Sequence, residues 1–181
     1  LFFAASRGTG KILVVDALLN QVVREAQAGS APNGAAWDSK RRQLLVADVQ
    51  DNRARLVDPY FGRIVSSREL PGRPRWCAHS AMRGQFLVDI REPAGISVLA
   101  AENLMEKAFL PISVAGPHGL DIDDKNGLAY VACDAGAVVV LDISTGREKN
   151  VLPIGGGPDV IWLNREKHRL YCAIGNPGVI E

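Results

Sequence analysis

Apolar runs of about five to seven residues recur along this chain, separated by polar clusters of about two to five residues. One stretch shows the pattern well. Gly119-Leu120-Asp121-Ile122 is followed by Leu128-Ala129-Tyr130-Val131-Ala132, then Ala137-Val138-Val139-Val140-Leu141, then Lys149-Asn150-Val151-Leu152. Each run has the length of a strand. The middle two are almost wholly apolar, as expected of sheets covered on both faces. No segment holds a sustained apolar stripe at helical spacing. Leu18 to Ala28 and Leu99 to Phe109 come nearest, and both fit the strand frame instead. The pattern predicts an all-β chain.

The runs are periodic. An aspartate closes an apolar run at Asp16, Asp58 and Asp142; 58 − 16 = 42 and 142 − 58 = 84. The absent member falls on Ala100. Prolines recur at Pro32, Pro74, Pro117 and Pro158, with glycines Gly29, Gly72, Gly116 and Gly157 just before them. A second column runs Ala5, Ala47, Asp89, Ala132, Ala173, and a third runs Asp38, Ser80, Asp123, Asn164. A period in the low forties marks a β-propeller with one four-stranded antiparallel blade per repeat. The Gly/Pro site suits the bend into the innermost strand, where proline is tolerated as first residue. The short polar columns suit turns whose side chains accept nearby backbone N–H groups. Asn20, Gly62 and Gly146 lie four residues after the periodic aspartates, where a hairpin needs positive φ. Leu104 stands at that place in the third repeat, so that turn is expected to close differently.

Counting in this frame predicts a single propeller domain over residues 1–181, with repeats starting near Pro32, Pro74, Pro117 and Pro158. It gives about four and a half blades, read as a stretch of a longer ring of six or seven. The sheet edges at either end are then open to missing blades or to another chain.

Composition narrows the class. The chain is 47% hydrophobic with little aromatic content, as in an ordered globular protein. Lys plus Arg number 21 against 20 Asp plus Glu, which gives no general pull toward nucleic acid or anionic membrane. There is no 18-residue apolar run and hence no membrane span. One local excess stands out: arginines at 53, 55, 63, 68, 73, 75, 83 and 91 face only Asp58, Glu69 and Asp89 in that stretch. It reads as a solvated outer face, or else as a patch for an anionic partner. Cys77, Cys133 and Cys172 do not form a disulfide framework; Cys133 and Cys172 differ by one register and point to opposite faces.

Pro117-His118-Gly119-Leu120-Asp121-Ile122-Asp123, Gly127-Leu128-Ala129-Tyr130-Val131-Ala132-Cys133 and Val138-Val139-Val140-Leu141-Asp142-Ile143-Ser144-Thr145-Gly146 resemble the YVTN-type β-propeller repeat of bacterial proteins. Gly155-Gly156-Gly157-Pro158-Asp159-Val160 and Arg169-Leu170-Tyr171-Cys172-Ala173 look like the next repeat. The resemblance implies a seven-bladed scaffold, bacterial origin and a periplasmic or secreted location. It implies no particular reaction.

The residue after each column proline enters the inner strand near one mouth of the central channel. These residues are Asn33, Arg75, His118 and Asp159. Such a polar ring suits a small anion, a metal-held substrate or a protein segment. A guanidinium in the ring opposes a cation. The first reading is therefore a non-catalytic scaffold or binding propeller without a cofactor. The alternative is a metal-dependent channel-mouth enzyme of the lactonase or streptogramin-lyase type. Other motifs read as structure. Asp121 to Gly127 departs from a calcium loop at Lys125, and Gly8-Thr9-Gly10-Lys11 lacks the Ser/Thr of a phosphate loop. Cys77 and His79 share a face, but His79 reads as a satisfied core histidine, and His168 as an exposed turn residue. Trp37, Trp76 and Trp162 fall in different columns and read as packing between blades.

Overall fold

A computed structural model describes residues 1–181. Its 18 strands assort into five separate sheets, and no helix forms. Blade 1 pairs β1 (Phe2–Ser6), β2 (Lys11–Asp16) and β3 (Gln21–Gln27). Blade 2 pairs β4 (Pro32–Asp38), β5 (Gln43–Asp48), β6 (Arg53–Asp58) and β7 (Arg63–Glu69). Blade 3 holds β8 (Pro74–Ser80), β9 (Gln85–Ile90), β10 (Gly95–Ala100) and β11 (Glu106–Pro111). Blade 4 holds β12 (Pro117–Asp123), β13 (Leu128–Cys133), β14 (Ala137–Asp142) and β15 (Glu148–Pro153). Blade 5 pairs β16 (Pro158–Asn164), β17 (Arg169–Ile174) and β18 (Val179–Ile180). This corrects the count of four and a half blades out of six or seven. The terminal strands do not remain half-blades; they pair into three-stranded blades of their own, giving five. No helix is long and apolar enough to cross a membrane.

Every sheet is antiparallel with neighbouring strands in chain order; blades 2 to 5 start from the inner strand, whereas β1 of blade 1 aligns with the second strands of the others. The column prolines are the first residues of β4, β8, β12 and β16, and these four inner strands pack side by side. The core lies in the seams between blades. Ile12, Ala26, Leu44 and Val46 fill the seam between blades 1 and 2. Leu45, Leu56, Phe86, Val88 and Leu99 fill the next, and Leu87, Ile96, Val98, Val131 and Val139 the third. Ala132, Val138, Ile161 and Cys172 fill the fourth. Each sheet between two others thus buries both faces, which is why its middle strands carry no polar alternation. Each fully buried Leu, Ile or Phe contributes about 1.5–3 kcal/mol.

The turns follow their polar columns. Asp16 Oδ1 accepts the N–H groups of Leu18 and Leu19, Asp58 Oδ1 those of Tyr60 and Phe61, and Asp142 Oδ1 those of Ser144 and Thr145. Asn20, Gly62 and Gly146 then take φ of 55°, 69° and 69°. The third repeat differs from its expectation. Leu104 adopts φ 61° and donates its N–H to Ala100, the same closure that Gly62 and Gly146 make onto Asp58 and Asp142. Asn103 Oδ1 receives the N–H of Met105 and supplies a replacement side-chain acceptor. The Leu104 side chain is buried in the seam between blades 2 and 3, and that burial holds a leucine where glycine is usual.

Candidate functional site

Each inner strand is irregular just after its proline. Pairing shifts between Pro32 and Ala35 in β4, and between Pro74 and Cys77 in β8. It shifts again between Pro117 and Gly119 in β12, and between Pro158 and Val160 in β16. The extra residues of these bulges include Asn33, Arg75, His118 and Asp159. A bulge frees its residue from the ladder and re-aims the side chain.

The structure joins these four residues across four blades. Asn33 Nδ2 donates to the Arg75 carbonyl over 2.8 Å. The Arg75 guanidinium donates to Nε2 of His118. Asp159 Oδ1 lies 3.4 Å from that same nitrogen, with its side chain 74% exposed. The other ring nitrogen, His118 Nδ1, lies 2.7 Å from Asp134 Oδ1. A carboxylate only accepts and a guanidinium only donates, so Nδ1 carries the hydrogen and Nε2 is the acceptor. Asp134 Oδ2 sits 2.8 Å from Arg91, close enough for an ion pair but out of line for a hydrogen bond.

Beneath this chain lies Asp89, the one acid in a column otherwise of alanine, and it is fully buried. Its Oδ1 accepts the N–H groups of Arg75 and Trp76, the two donors that the bulge releases. Its Oδ2 has no partner. Burial pushes the Asp89 carboxyl well above the usual range, against the pull of those two N–H groups and the Arg75 charge. Burial also lowers the Arg75 guanidinium, and the charges of Arg73, Arg91 and Arg7 lower it further. Four buried polar side-chain atoms in the chain lack a hydrogen-bond partner. Three of them, Arg75 Nε, Asp89 Oδ2 and Asp134 Oδ2, belong to this mouth.

Asp134, Arg91 and Arg7 escaped the sequence reading, yet the same frame holds them. Arg7, Val49, Arg91, Asp134 and Gly175 are equivalent positions after the second strand. Four of these turns are tied to the preceding crossover by one repeated bond: Val49 to Ala31, Arg91 to Arg73, Asp134 to Gly116 and Gly175 to Gly157. The turn column therefore stands on the same rim as the bulge column.

Other candidates separate from the mouth. Burial drives the Cys77 thiol strongly upward and pushes Cys133 up to about 12, so neither is a thiolate. All three cysteines are free and buried. His79 packs on Phe86 at 4.8 Å, and its Nε2 makes no hydrogen bond, with Asp38 Oδ2 3.6 Å away, so it is a core histidine left unsatisfied on that side. His168 is an exposed turn residue with φ 51°. Trp37 packs against the seam of blades 1 and 2, stacked on Phe3, and Trp76 against that of blades 3 and 4, as expected. With Trp162 they also line an axial cavity of ≈430 Å³ among the inner strands, together with Ala35, Ala78 and Val160. Sequence columns missed this because inner-strand residues of either facing border the axis. A larger cleft, ≈730 Å³, lies at the opposite end of blades 4 and 5 near Asp123 and Arg165. The unpartnered groups of the mouth are not among its lining.

The donor set does not fit a divalent cation. No group of three or more His, Cys, Asp or Glu side chains is arranged to hold a metal, and Arg75 bonds the one His118 nitrogen a cation would need.

No protein-family model and no curated protein sequence matches the chain. Its shape is similar to a chain of Kuenenia stuttgartiensis hydrazine synthase, with TM-score 0.83 and 15% identity over 94% of this chain and 51% of that one. It is also similar to the Myceliophteria thermophila Cps50 (Swd1) β-propeller domain, with TM-score 0.75 and 13% identity over 96% of this chain and 62% of that one. The chain thus spans between half and two thirds of these two structures. At such identities the likeness establishes the β-propeller fold and nothing of activity.

Proposed function

We propose that this propeller is a non-catalytic binding protein that receives a small ligand, or a short segment of another protein, at the channel mouth formed by Asn33, Arg75, His118 and Asp159. One observation carries the reading. Bulge residues Asn33, Arg75 and His118 from three blades form a hydrogen-bonded chain, Asp159 from a fourth lies 3.4 Å from His118, and three buried polar side-chain atoms beside them make no hydrogen bond. Buried polar groups ordinarily find partners, so three orphans at one place favour a site completed by a ligand. The propeller fold agrees with a scaffold of this kind. The repeat itself reads as YVTN-type on the residues around Pro117 to Gly146, which favours a bacterial scaffold.

The test is a thermal-shift screen of small metabolites on the purified chain, repeated on Asn33→Ala and His118→Ala. Ligands of the mouth lose most of their stabilising effect in both variants. Ligands that stabilise the variants as strongly as the parent would place binding elsewhere and end the proposal. Lactone substrates belong in the same screen. Turnover abolished by a chelator would favour the enzyme reading over this one.

A further inference from the structure

We propose that the ligand of this mouth is a small multivalent oxyanion, a di- or tricarboxylate or a phosphate, gripped by Arg7, Arg73, Arg75 and Arg91. The inference rests on the reading that the mouth binds a small ligand, and it names the chemical class.

The arginine excess between residues 53 and 91 resolves into two groups. One group is already engaged. Arg55 lies 3.0 Å from Asp48, Arg83 lies 3.0 Å from Asp124, Arg68 lies 3.5 Å from Glu106 and Arg53 lies 3.6 Å from Glu69. Arg63 rests over the Phe61 ring at 5.6 Å. The remainder, Arg73, Arg75 and Arg91, belong to the mouth, and of these only Arg91 is ion-paired, 2.8 Å from Asp134. Neither Arg73 nor Arg75 forms an ion pair, and Arg91 shares Asp134 with His118. Arg7 reaches the same rim from blade 1, also unpaired, through the turn column it shares with Arg91. Arg91 donates its backbone N–H to the Arg73 carbonyl over 2.9 Å, which sets these two beside the Arg75 bulge, and the charges of Arg73, Arg91 and Arg7 all act against that of Arg75.

Like charges gathered this way repel one another, and the Asp134 carboxylate offsets them at Arg75 only in part. Its Nε is buried with no acceptor. Asp89 lies directly beneath, but burial favours its neutral form, so it is a poor counter-ion. An oxyanion supplies what is missing: acceptors for a planar fork of N–H donors, and negative charge between converging cations. A cleft of ≈510 Å³, lined by Arg91, Asp134 and Gly116, adjoins the rim and leaves room for a small molecule. Glu92 and Asp134 border the same cleft. Their carboxylates interrupt the positive surface, and the whole chain carries only +1. An extended polyanion such as nucleic acid needs a continuous basic stripe and is disfavoured here.

The experiment is isothermal titration of the purified chain with citrate, inorganic phosphate, succinate and the neutral isostere succinamide, at low and at physiological ionic strength. Citrate or phosphate binds and succinamide does not; the stronger of the two anions identifies the source chemistry. Arg75→Gln weakens binding about tenfold and the exposed Arg73→Gln and Arg7→Gln several-fold, as loss of a charge-assisted contact requires. Arg63→Gln leaves it unchanged, and salt weakens it throughout. If Arg75→Gln does not fold, Arg73→Gln and Arg7→Gln carry the test alone. Succinamide binding as tightly as succinate, affinities unmoved in the folded arginine variants, or a preference for heparin over citrate would each overturn the oxyanion class. If a neutral probe binds and is lost in Asn33→Ala, the mouth reading stands and only the class falls. If no probe binds and no mouth variant changes any measurement, both fall.

Discussion

His118 Nδ1 and Asp134 Oδ1 are 2.7 Å apart, and this contact orients the imidazole so that Nε2 meets the Arg75 guanidinium. His118 enters β12 directly after its proline, whereas Asp134 begins the turn after β13. Their meeting sets the hydrogen on Nδ1 and leaves Nε2 to accept from Arg75. Asp134→Ala removes the acceptor that selects this tautomer, while Asp134→Asn keeps a carbonyl oxygen in its place. Nitrogen NMR of the imidazole is expected to report Nδ1–H in the parent and in Asp134→Asn, and a mixed or reversed tautomer in Asp134→Ala. An unaltered spectrum in Asp134→Ala would remove Asp134 from this role.

Asp89 predicts a pH dependence of stability. Its folded-state carboxyl is held well above the ordinary value by burial. The folded chain therefore keeps a proton that the unfolded chain releases near pH 3.9. Above that pH the unfolded state binds fewer protons, so this residue's contribution to stability falls as pH rises, until the folded carboxyl itself ionises. The slope is about 1.4 kcal/mol per pH unit across that window. Asp89→Asn keeps an oxygen for the Arg75 and Trp76 N–H groups and carries no charge. Urea melts at pH 4.5 and pH 7 should show Asp89→Asn gaining on the parent as pH rises. An equal gap at both pH values would contradict a raised Asp89.

Leu104 sets two effects against each other. Its φ of 61° is costly for a side chain bearing Cβ, by about 1–2 kcal/mol. Its side chain is almost fully buried beside Leu99. Leu104→Ala keeps the strain and loses the packing, so it costs about 3 kcal/mol. Leu104→Gly loses the packing but relieves the strain and is expected to be the milder change by about 1 kcal/mol. Denaturant unfolding of the two variants decides the order. Alanine proving the more stable would show that the left-handed conformation carries no strain.

Gly34 lets β4 and β8 approach backbone to backbone. A Cβ there would stand 2.7 Å from the Trp76 Cα and 2.9 Å from the Arg75 carbonyl oxygen. Backbone cannot swing aside as a side chain can, so Gly34→Ala forces the two strands apart. The Asn33 bond to Arg75 spans the same junction. A loss of about 1–3 kcal/mol is expected, together with weaker binding at the mouth. A variant that melts and binds like the parent would show that the strands part without consequence.

The repeat was legible because its marks act locally. A proline opening β8 and an aspartate capping the turn at Asp58 depend on a few neighbouring residues, and those recur wherever the same turn is built. The mouth was half legible. Asn33, Arg75, His118 and Asp159 could be placed by column, since each follows a strand-opening proline. Asp134 could not, because its partner lies 16 residues away on another strand. Asp89 was visible as an acid among alanines, but its burial under the Arg75 bulge was not.

Strand length, turn chemistry and the spacing of about 42 residues follow from backbone stereochemistry and the need to cover apolar faces, and a linear reading recovers them. The gathering of the strands into five blades came only from the folded chain. So did the meeting of all three tryptophans at one cavity, and the separation of the outer ion-paired arginines from those of the mouth. Those outcomes depend on how sheets wedge around an axis. That wedging brings residues of different blades within hydrogen-bonding reach, and contacts of this kind are written in distances that no position along the chain encodes.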